Sequence, residues 1–296
     1  MSVSRWISRY TDSLVGKTVA ISGATGGIGR ELCRHLALLG ASLILLDRNL
    51  QRSQRLAAEL KTLAPTLSIT HIQVDMEDMS GVRAAADRLL SLPVDALILN
   101  AGAYSIPRHR CDTGYDNVFQ INFVSPYYLA RRLLPHLKSR GGRVIAVGSI
   151  AHTYSVTDPE DIDFSTRRKA SLVYGNAKRY LMLSLLGLAG QGESVVVTHP
   201  GITFTNITAH YPKLIFAVIK HPMKVIFMSP RKASLCILRG LFETCGADEW
   251  IGPRLWNIWG FPRKRTLRTY QPSETDRICV TAEEIYRKIT EKPIEK

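Results

Sequence analysis

The fold of this chain is decided by the stretch Ser22-Gly23-Ala24-Thr25-Gly26-Gly27-Ile28-Gly29. It follows an apolar run, 19–21, and precedes a helical pattern of apolar residues over 30–36. A glycine turn between a strand and a helix lets the backbone approach a pyrophosphate closely, and the first N–H groups of the helix bind its negative charge. We therefore predict a dinucleotide-binding turn formed by Gly23, Thr25, Gly26, Gly27, Ile28 and Gly29.

The next apolar run, 42–47, ends in Asp47. In a dinucleotide-binding unit, an acidic residue at the end of the second strand accepts hydrogen bonds from the ribose diol and repels a 2′-phosphate. The sequence therefore favours NAD as the cofactor. Arg48 follows directly, and its positive charge could offset the repulsion, so NADP stays open as the alternative.

Apolar runs alternate with helical patterns along most of the chain, which is typical of a parallel sheet flanked by helices. With right-handed crossovers, this order predicts an α/β fold with a Rossmann-type doubly wound parallel sheet. A chain of 296 residues with 45% hydrophobic residues can form one domain over 1–296, with a core over about 15–250 and a C-terminal extension over 251–296. We predict strands near 18–22, 42–47, 68–74, 95–100, 143–148, 194–199 and 250–252, and a last helix from 281.

Small and polar residues follow several predicted strands, at the edge where parallel sheets bind their ligands. Asn100, Ala101 and Gly102 end the fourth strand. The small residues there let an adenosine pack closely, and the Asn100 amide could also tie neighbouring strands together. Asp75 and Met76 follow the third strand, where Asp75 either lies beside the adenine or caps a helix. We predict cofactor contacts at all five positions.

Tyr174 and Lys178 share one face of a predicted helix, because they are four residues apart. A free tyrosine titrates near pH ~10, and a nearby ammonium lowers that pKa by stabilising the phenolate. The pair can therefore act as an acid–base device, although this spacing more often reflects a core ring beside a solvated lysine. Ser149 ends the fifth strand, where a serine can equally be part of a turn. The glycine turn elsewhere in the chain favours the catalytic interpretation for all three side chains.

Four motifs together resemble the short-chain dehydrogenase/reductase family, and they occur in the family's order: Gly23-x-x-x-Gly27-x-Gly29, Asn100-Ala101-Gly102, Ser149 and Tyr174-x-x-x-Lys178. The resemblance covers about residues 15–245. The long interval between Ser149 and Tyr174 is similar to the retinol dehydrogenase and WW-domain oxidoreductase branch. Two positions depart from the common pattern, Ser22 for threonine and Ala177 for serine, and neither removes a group that the chemistry needs.

The resemblance implies a role for each of these side chains in carbonyl reduction. Ser149 would hydrogen-bond the substrate oxygen, Tyr174 would donate the proton, and Lys178 would hold the nicotinamide ribose and lower the pKa of Tyr174. Asn122 matches an asparagine that anchors a water between the lysine and solvent, although its amide could equally cap a defect in a helix. Further cofactor contacts are implied after the sixth strand, at Pro200, Gly201, Thr203 and Thr205.

The family places a substrate lid after Pro200-Gly201, here over 203–230, and this stretch is unusually apolar. Its apolar runs, 214–219 and 225–228, suit a bulky hydrophobic substrate such as a steroid, a retinoid or a lipid. A helix buried against the core or against a dimer partner is an equally good interpretation. The runs are shorter than the ~20 residues of a membrane span, so we do not expect this stretch to cross a bilayer.

The formal net charge of +14 bears on the partners of the chain. A peripheral membrane contact through 211–230 and 256–268 would place basic and aromatic residues against anionic headgroups. Ordinary packing with a solvated basic face explains the same pattern. An anionic substrate, such as a conjugated steroid, an acyl-CoA or an acyl chain on an acidic carrier protein, also fits the charge. Nucleic acid is not expected, because the basic residues are spread along the chain without a recognition motif.

The five cysteines are scattered without metal-ligand spacing, and the first residues lack the apolar core of a secretory signal. Both features predict a reduced, cytoplasmic chain with no metal site, which could still lie at a membrane surface.

All these features predict an NAD(P)-dependent oxidoreductase that interconverts a secondary alcohol and a ketone, or an alcohol and an aldehyde, on a hydrophobic substrate. Two alternatives stay open: a 3-ketoacyl-type reductase, and a catalytically silent relative that binds the cofactor as a sensor or scaffold. The family resemblance implies a homodimer or homotetramer formed through two helices that flank the sheet. The basic, aromatic C-terminal region could cover those helices instead.

Overall fold

An eight-stranded sheet forms the centre of the computed structural model, which describes residues 1–203 and 227–291. Its strands are β1 (Thr18–Ser22), β2 (Ser42–Asp47), β3 (Ile69–Gln73), β4 (Ala96–Leu99), β5 (Arg143–Val147), β6 (Val195–Thr198), β7 (Glu249–Leu255) and β8 (Trp259–Thr266). They lie in the order β3-β2-β1-β4-β5-β6-β7-β8. All neighbouring pairs are parallel except β7 and β8, which are antiparallel. The predicted doubly wound sheet and its first seven strands are confirmed.

Helices cover both faces of this sheet. The described helices are α1 (Val3–Tyr10), α2 (Gly27–Leu38), α3 (Leu50–Leu63), α4 (Met79–Leu90), α5 (Asn117–Phe119), α6 (Ser125–Ser139), α7 (Ala170–Gly190), α8 (Pro230–Arg239) and α9 (Pro272–Glu291). A π-helical turn, 120–124, joins α5 to α6, and a 3-10 turn, 150–154, follows β5. Among the described helices, none is long and apolar enough to cross a bilayer.

The central strands are continuous apolar runs because both of their faces are buried. In β1, Ala20 packs into the core on one side of the sheet, while Val19 and Ile21 pack into the core on the other side. The first core also receives side chains from α4, α6, α7 and α9, and the second receives side chains from α1, α2, α3 and α8. This double burial fixes the register of the strands and the place where their carboxyl ends meet.

Two elements are absent from the sequence prediction, α1 and β8. Helix α1 is only eight residues long; Ser2 caps it by accepting a hydrogen bond from Arg5 N, and its Trp6 is buried against the second core. Strand β8 carries the run Arg263-Lys264-Arg265, so it lacks an apolar pattern, and it forms the edge of the sheet through pairing with β7. Both elements depend on contacts that are distant in sequence.

The C-terminal helix begins earlier than the predicted position at 281. Helix α9 starts at Pro272 and packs across α7 and α6. Ile278, Ala282 and Ile285 of α9 are buried in the first core. The last helix therefore lies against two helices that flank the sheet. The predicted oligomer, and the alternative that the basic, aromatic region covers its helices, both stay predictions.

Candidate active site

The turn after β1 requires glycine at two positions for different physical reasons. Gly23 has a φ of +67°, and a Cβ there would lie 2.9 Å from the Ala101 Cα. Gly29 lies in the first turn of α2, where a Cβ would lie 2.3 Å from the Gly23 carbonyl oxygen. Gly26 precedes α2 without a capping side chain. The first N–H groups of α2 therefore face the cavity in front of the turn, where an anion would satisfy them.

A cavity of about 520 Å³ lies in front of this turn, at the carboxyl ends of β1, β2 and β4. Every cofactor contact that the sequence predicts before residue 103 lines it. These residues are Gly23, Thr25, Gly26, Gly27, Ile28, Gly29, Asp47, Arg48, Asp75, Met76, Asn100, Ala101 and Gly102.

Asp47 offers a hydrogen-bond acceptor to this cavity. Its Oδ1 accepts hydrogen bonds from Thr25 N at 3.1 Å and Thr25 Oγ1 at 3.0 Å. Its Oδ2 is buried and has no partner among the described residues. A buried carboxylate oxygen without a donor is costly, and a ribose hydroxyl would supply the missing donor. This acceptor therefore fits the ribose of a dinucleotide.

The neighbouring side chains of the cavity have partners of their own. Arg48 is largely exposed, and its Nη1 lies 3.7 Å from Asp75 Oδ2. Asp75 also accepts a hydrogen bond from Glu77 N, but it does not cap a helix: the cap of α4 is Asp78, which accepts from Ser80 N. The helix-capping alternative for Asp75 is therefore wrong.

The Asn100 side chain ties neighbouring strands together, a role considered above from the sequence. Its Nδ2 donates to the carbonyl oxygens of Ser22 at 3.0 Å and Gly23 at 2.9 Å. The Ser22 hydroxyl in turn accepts hydrogen bonds from the N–H groups of Asn100 and Ala101. The two side chains hold the end of β4 against the glycine turn and so keep the floor of the cavity in place.

A second cavity, of about 270 Å³, adjoins the first and shares Ile28, Asn100 and Gly102 with it. It lies at the carboxyl ends of β5 and β6. The structure brings the remaining predicted residues together here, with two exceptions considered below. Ser149, Tyr174, Lys178, Pro200, Gly201 and Thr203 line it.

Ser149 both caps the 3-10 turn after β5 and faces the Tyr174 hydroxyl. Its Oγ accepts a hydrogen bond from Ala151 N at 3.1 Å, so the turn-forming role is present, while the catalytic role stays a prediction. Burial raises the pKa of Tyr174 to about 12, while the hydrogen bond with Ser149 acts in the opposite direction. Tyr174 is therefore a neutral phenol at neutral pH, able to donate its proton. The expected lowering of its pKa by Lys178 is not found.

Lys178 lies one helical turn after Tyr174, with its Nζ 5.8 Å from the centre of the tyrosine ring. The Nζ donates a hydrogen bond to the Val147 carbonyl oxygen at 2.9 Å. Burial lowers the pKa of Lys178 to about 8, because a charged ammonium is poorly solvated there. Most of the lysine is still protonated at neutral pH, and two of its three donors remain for a ligand in the cavity.

Asn122 does not reach either cavity. It is fully buried in the π-helical turn, where its Nδ2 donates to the carbonyl oxygens of Val118 and Ala103, both at 2.8 Å. The Asn122 Oδ1 lies behind Gly102. A Cβ on Gly102 would be 2.8 Å from this oxygen and 3.6 Å from Lys178 Nζ. The helix-defect role is therefore present, and the water-anchoring role stays a prediction.

The segment after β6 contributes two residues to the cavity that the sequence did not predict, Ile202 and His199. His199 is the polar one. Burial lowers its pKa to about 4, so the ring is neutral. Its Nε2 donates to the Asn257 carbonyl oxygen at 2.9 Å, which leaves Nδ1 as a buried acceptor without a partner among the described residues. Thr203 Oγ1 is also buried without such a partner. Thr205 and most of the predicted lid lie outside the described residues.

A buried network behind Ser149 was also missed. His152 Nδ1 lies 2.6 Å from the Ser149 carbonyl oxygen, and His152 Nε2 lies 2.7 Å from Thr269 Oγ1. Arg179, on α7, donates to the His152 carbonyl oxygen and pairs with Glu274 of α9. The C-terminal helix is thus connected to the turn that carries Ser149. The sequence does contain a signal for this network, because His152 follows Ser149 by three residues.

The chain belongs to the short-chain dehydrogenase/reductase family, and the family model described as short chain dehydrogenase matches residues 17–158. Short chain dehydrogenase rstn4 of Aspergillus nomiae is 33% identical over an alignment of 225 positions, which covers 66% of this chain and 61% of that protein. Retinol dehydrogenase 12 of Mus musculus is 30% identical over 200 residues, 65% of this chain and 63% of that protein. The resemblance to the retinol dehydrogenase branch is confirmed, and the chain spans about three fifths of these relatives.

Solved structures support the fold. A putative uncharacterized protein from Mycobacterium paratuberculosis has a TM-score of 0.72 at 22% identity, covering 93% of this chain and 95% of that one. Other structures with this fold were solved with NADP or NADPH bound.

Proposed function

We propose that this protein is an NAD(P)-dependent oxidoreductase that interconverts an alcohol and a ketone or aldehyde on a hydrophobic substrate. One observation carries the proposal: Ser149, Tyr174 and Lys178 line a single cavity that adjoins the cavity in front of the glycine turn. A bound nicotinamide would supply or accept the hydride. The side chains of this chain would bind the substrate oxygen and move the proton.

Tyr174 is the proposed proton donor in the reducing direction. Its raised pKa keeps the phenol protonated at neutral pH, and its hydrogen bond with Ser149 orients the hydroxyl. A carbonyl oxygen held by both hydroxyls would receive the proton of Tyr174 as negative charge develops on it. The oxidising direction requires the phenolate, so it requires additional positive charge near Tyr174.

Lys178 would provide part of that charge and two hydrogen-bond donors. Its Nζ is held by the Val147 carbonyl oxygen at the junction of the two cavities. Ribose hydroxyls are suitable acceptors for the donors that remain. Hydrogen bonds to a ribose would also hold the Lys178 ammonium in one position beside Tyr174.

NAD is the proposed cofactor, with NADP as the alternative. The partnerless Oδ2 of Asp47 favours a ribose hydroxyl and would repel a phosphate in the same place. Arg48 lies beside Asp75 and is largely exposed, so it is free to turn toward a 2′-phosphate. Similar structures were solved with NADP or NADPH bound, which supports NADP as the alternative.

A hydrophobic substrate is supported by the walls of the second cavity, which holds Ser149 and Tyr174 and which we call the catalytic cavity. Val147, Ile150, Ala151 and Ile202 form much of its surface around the two hydroxyls. Such a surface binds an apolar body and leaves the reacting oxygen to the polar groups. The similarity to retinol dehydrogenase 12 is in accord with a substrate of this kind.

The test is turnover of purified protein, followed by nicotinamide absorbance. NAD or NADP is supplied with steroid, retinoid, fatty and short-chain alcohols, and the reduced cofactors with the matching ketones and a 3-ketoacyl thioester. We expect turnover only with large apolar substrates. Preference for the thioester would assign the protein to the ketoacyl reductases. Cofactor binding, measured by calorimetry, without turnover of any compound would favour the silent sensor.

A further inference from the structure

The hairpin of β7 and β8 presents apolar side chains to solvent at the edge of the sheet. Trp256, in its turn, is 83% exposed, and Leu255 and Trp259 on either side are 44% and 42% exposed. Together with Arg254, Arg263 and Arg268 we call these residues the hairpin surface. Large apolar side chains grouped at one exposed turn mark an interaction site more often than scattered ones do.

The backbone of the turn holds Trp256 in a strained conformation. Trp256 and Asn257 have φ values of +48° and +58°. Two residues with positive φ match the twist of a tight hairpin, where asparagine or glycine is ordinarily found. A bulky residue with positive φ is a genuine outlier that costs free energy. A small polar residue would therefore form this turn at a lower cost in free energy than Trp256 does.

The charges of the hairpin surface are not neutralised within the described chain. Arg254, Arg263 and Arg268 are exposed and form no ion pair with the described residues. Burial, and then the positive charges of these three arginines, lower the pKa of Arg265. Arg265 also donates a hydrogen bond to the Arg254 carbonyl oxygen, so these cations lie near one another, and an anionic partner would relieve their repulsion.

A groove of about 810 Å³ continues the hairpin surface toward α1 and α8. Trp6 and Tyr10 of α1 line it from one side, with Lys232 of α8 between them and the hairpin. The Lys232 Nζ lies 3.6 Å from the centre of the Trp259 ring, over its face. Aromatic rings beside cationic side chains suit the headgroup layer of a membrane, because each of these side chains has an apolar body and a polar end.

The same hairpin contacts the catalytic cavity. The Asn257 carbonyl oxygen accepts a hydrogen bond from His199, and the Ile258 carbonyl oxygen accepts one from Ile202 N. A Cβ on Gly201 would lie 2.6 Å from that Ile258 oxygen. The exposed turn and the wall of the catalytic cavity are therefore only a few residues apart.

We propose that the hairpin surface docks on an anionic lipid bilayer, with Trp256 inserted among the headgroups and the arginines against their phosphates and carboxylates. Docking there would place the catalytic cavity beside the bilayer, where hydrophobic substrates dissolve; this second step rests on the proposed function. A bilayer is favoured over nucleic acid because the turn carries an exposed tryptophan flanked by leucine, and these apolar groups need an apolar layer. The predicted membrane contact over 211–226 lies outside the described residues.

The test is cosedimentation of the full-length protein with vesicles of phosphatidylcholine alone or with about one third phosphatidylserine. We expect binding to the anionic vesicles only, weakened by about 100-fold in the triple variant Arg254→Gln, Arg263→Gln, Arg268→Gln. Trp256→Asn should weaken it about tenfold. Both variants should be at least as stable as the wild type in thermal unfolding, because one loses charge repulsion and the other loses strain.

Two control variants separate local docking from net charge and from general exposure. The triple variant Arg55→Gln, Lys61→Gln, Arg88→Gln removes the same charge from exposed positions on α3 and α4, and Val156→Asn replaces another apolar residue with 80% exposure. Both should bind vesicles as the wild type does.

Several results would overturn the proposal. Wild-type protein that stays in the supernatant with both kinds of vesicle would exclude the docking. Equal losses in the two triple variants would show a diffuse charge effect. Tighter binding to a labelled oligonucleotide, lost in the hairpin variants, would assign the surface to nucleic acid. None of these measurements needs turnover, so they are independent of the proposed enzyme activity.

Discussion

Arg179 and Glu274 form a buried ion pair that joins α7, the helix of Tyr174 and Lys178, to the C-terminal helix. Arg179 Nε donates to Glu274 Oε1 at 2.7 Å, and Arg179 Nη2 donates to Oε2. Arg179 follows Lys178 directly on α7, and its Nη1 donates to the carbonyl oxygen of His152, beyond Ser149. One guanidinium therefore fixes α9, α7 and the turn after β5 relative to one another.

Glu274→Gln should destabilise the protein by about 3–5 kcal/mol, because it leaves the buried Arg179 charge without its partner. The measurement is urea unfolding followed by circular dichroism. Glu284→Gln, an exposed change on the same helix, should stay within about 0.5 kcal/mol of the wild type. Equal stability of both variants would show that the pair contributes nothing.

The same pair predicts a pH dependence. Burial raises the pKa of Glu274, but the hydrogen bonds and charge of Arg179 outweigh it and hold the pKa below its ordinary value. Stability from this group is therefore fully present above its unfolded pKa and is lost as the pH falls through the lower, folded pKa. The stability difference between wild type and Glu274→Gln should shrink as the pH is lowered through that range.

Local patterns were enough to predict the glycine turn, Asp47 and the strand ends, because each depends on a few adjacent residues and on the edge they share in a parallel sheet. The Arg179–Glu274 pair could not be predicted, since its members are distant in sequence and no periodic pattern connects them. The pKa of Tyr174 was expected to fall because a lysine lies one turn away. It rises because burial, which the sequence does not give, outweighs the hydrogen bond with Ser149 that lowers it.

Tyr174→Phe should abolish turnover while the dissociation constant of the cofactor changes by less than about threefold, since only the transferable proton and one hydroxyl are lost. Steady-state rates and calorimetric titration of the cofactor test the two parts. Tyr180→Phe is the matched control: it lies on the same helix in the core, outside the catalytic cavity, and should keep its rate. A wild-type rate in Tyr174→Phe would remove Tyr174 from the mechanism.

The variant Lys178→Met should be more stable than the wild type. Its advantage in the free energy of unfolding should be larger at pH 7 than at pH 10. The pKa of Lys178 is lowered to about 8, so the unfolded chain binds more protons than the folded chain above that pH, and wild-type stability rises with pH. The stability advantage of the variant should fall by about 2 kcal/mol between these pH values. Urea unfolding at both pH values measures it. A constant difference would mean that the buried lysine is solvated.

Asp47→Ala should shift cofactor preference toward NADP by removing the carboxylate that repels a 2′-phosphate. The ratio of kcat/KM for the two cofactors is the measurement, and we expect a change of at least about tenfold. Arg48→Gln, at the adjacent position, should change the ratio in the opposite direction because it removes a cation that a phosphate would attract. An unchanged ratio in Asp47→Ala would assign the selection to Arg48 or to the glycine turn.

Gly175→Ala should separate Ser149 from Tyr174 without touching either side chain. A Cβ at Gly175 would lie 2.4 Å from the Ala151 carbonyl oxygen and 2.9 Å from Ser155 Oγ, so the turn that begins at Ser149 must move away from α7. Overpacking of this kind costs about 1–3 kcal/mol. We expect kcat to fall at least about tenfold, with cofactor affinity unchanged, because the cavity in front of the glycine turn does not include residues 149–154. Gly190→Ala, at the end of the same helix, meets its nearest atom at 3.3 Å and should keep the wild-type kcat. If both variants retained full activity, the spacing between Ser149 and Tyr174 would not limit the rate.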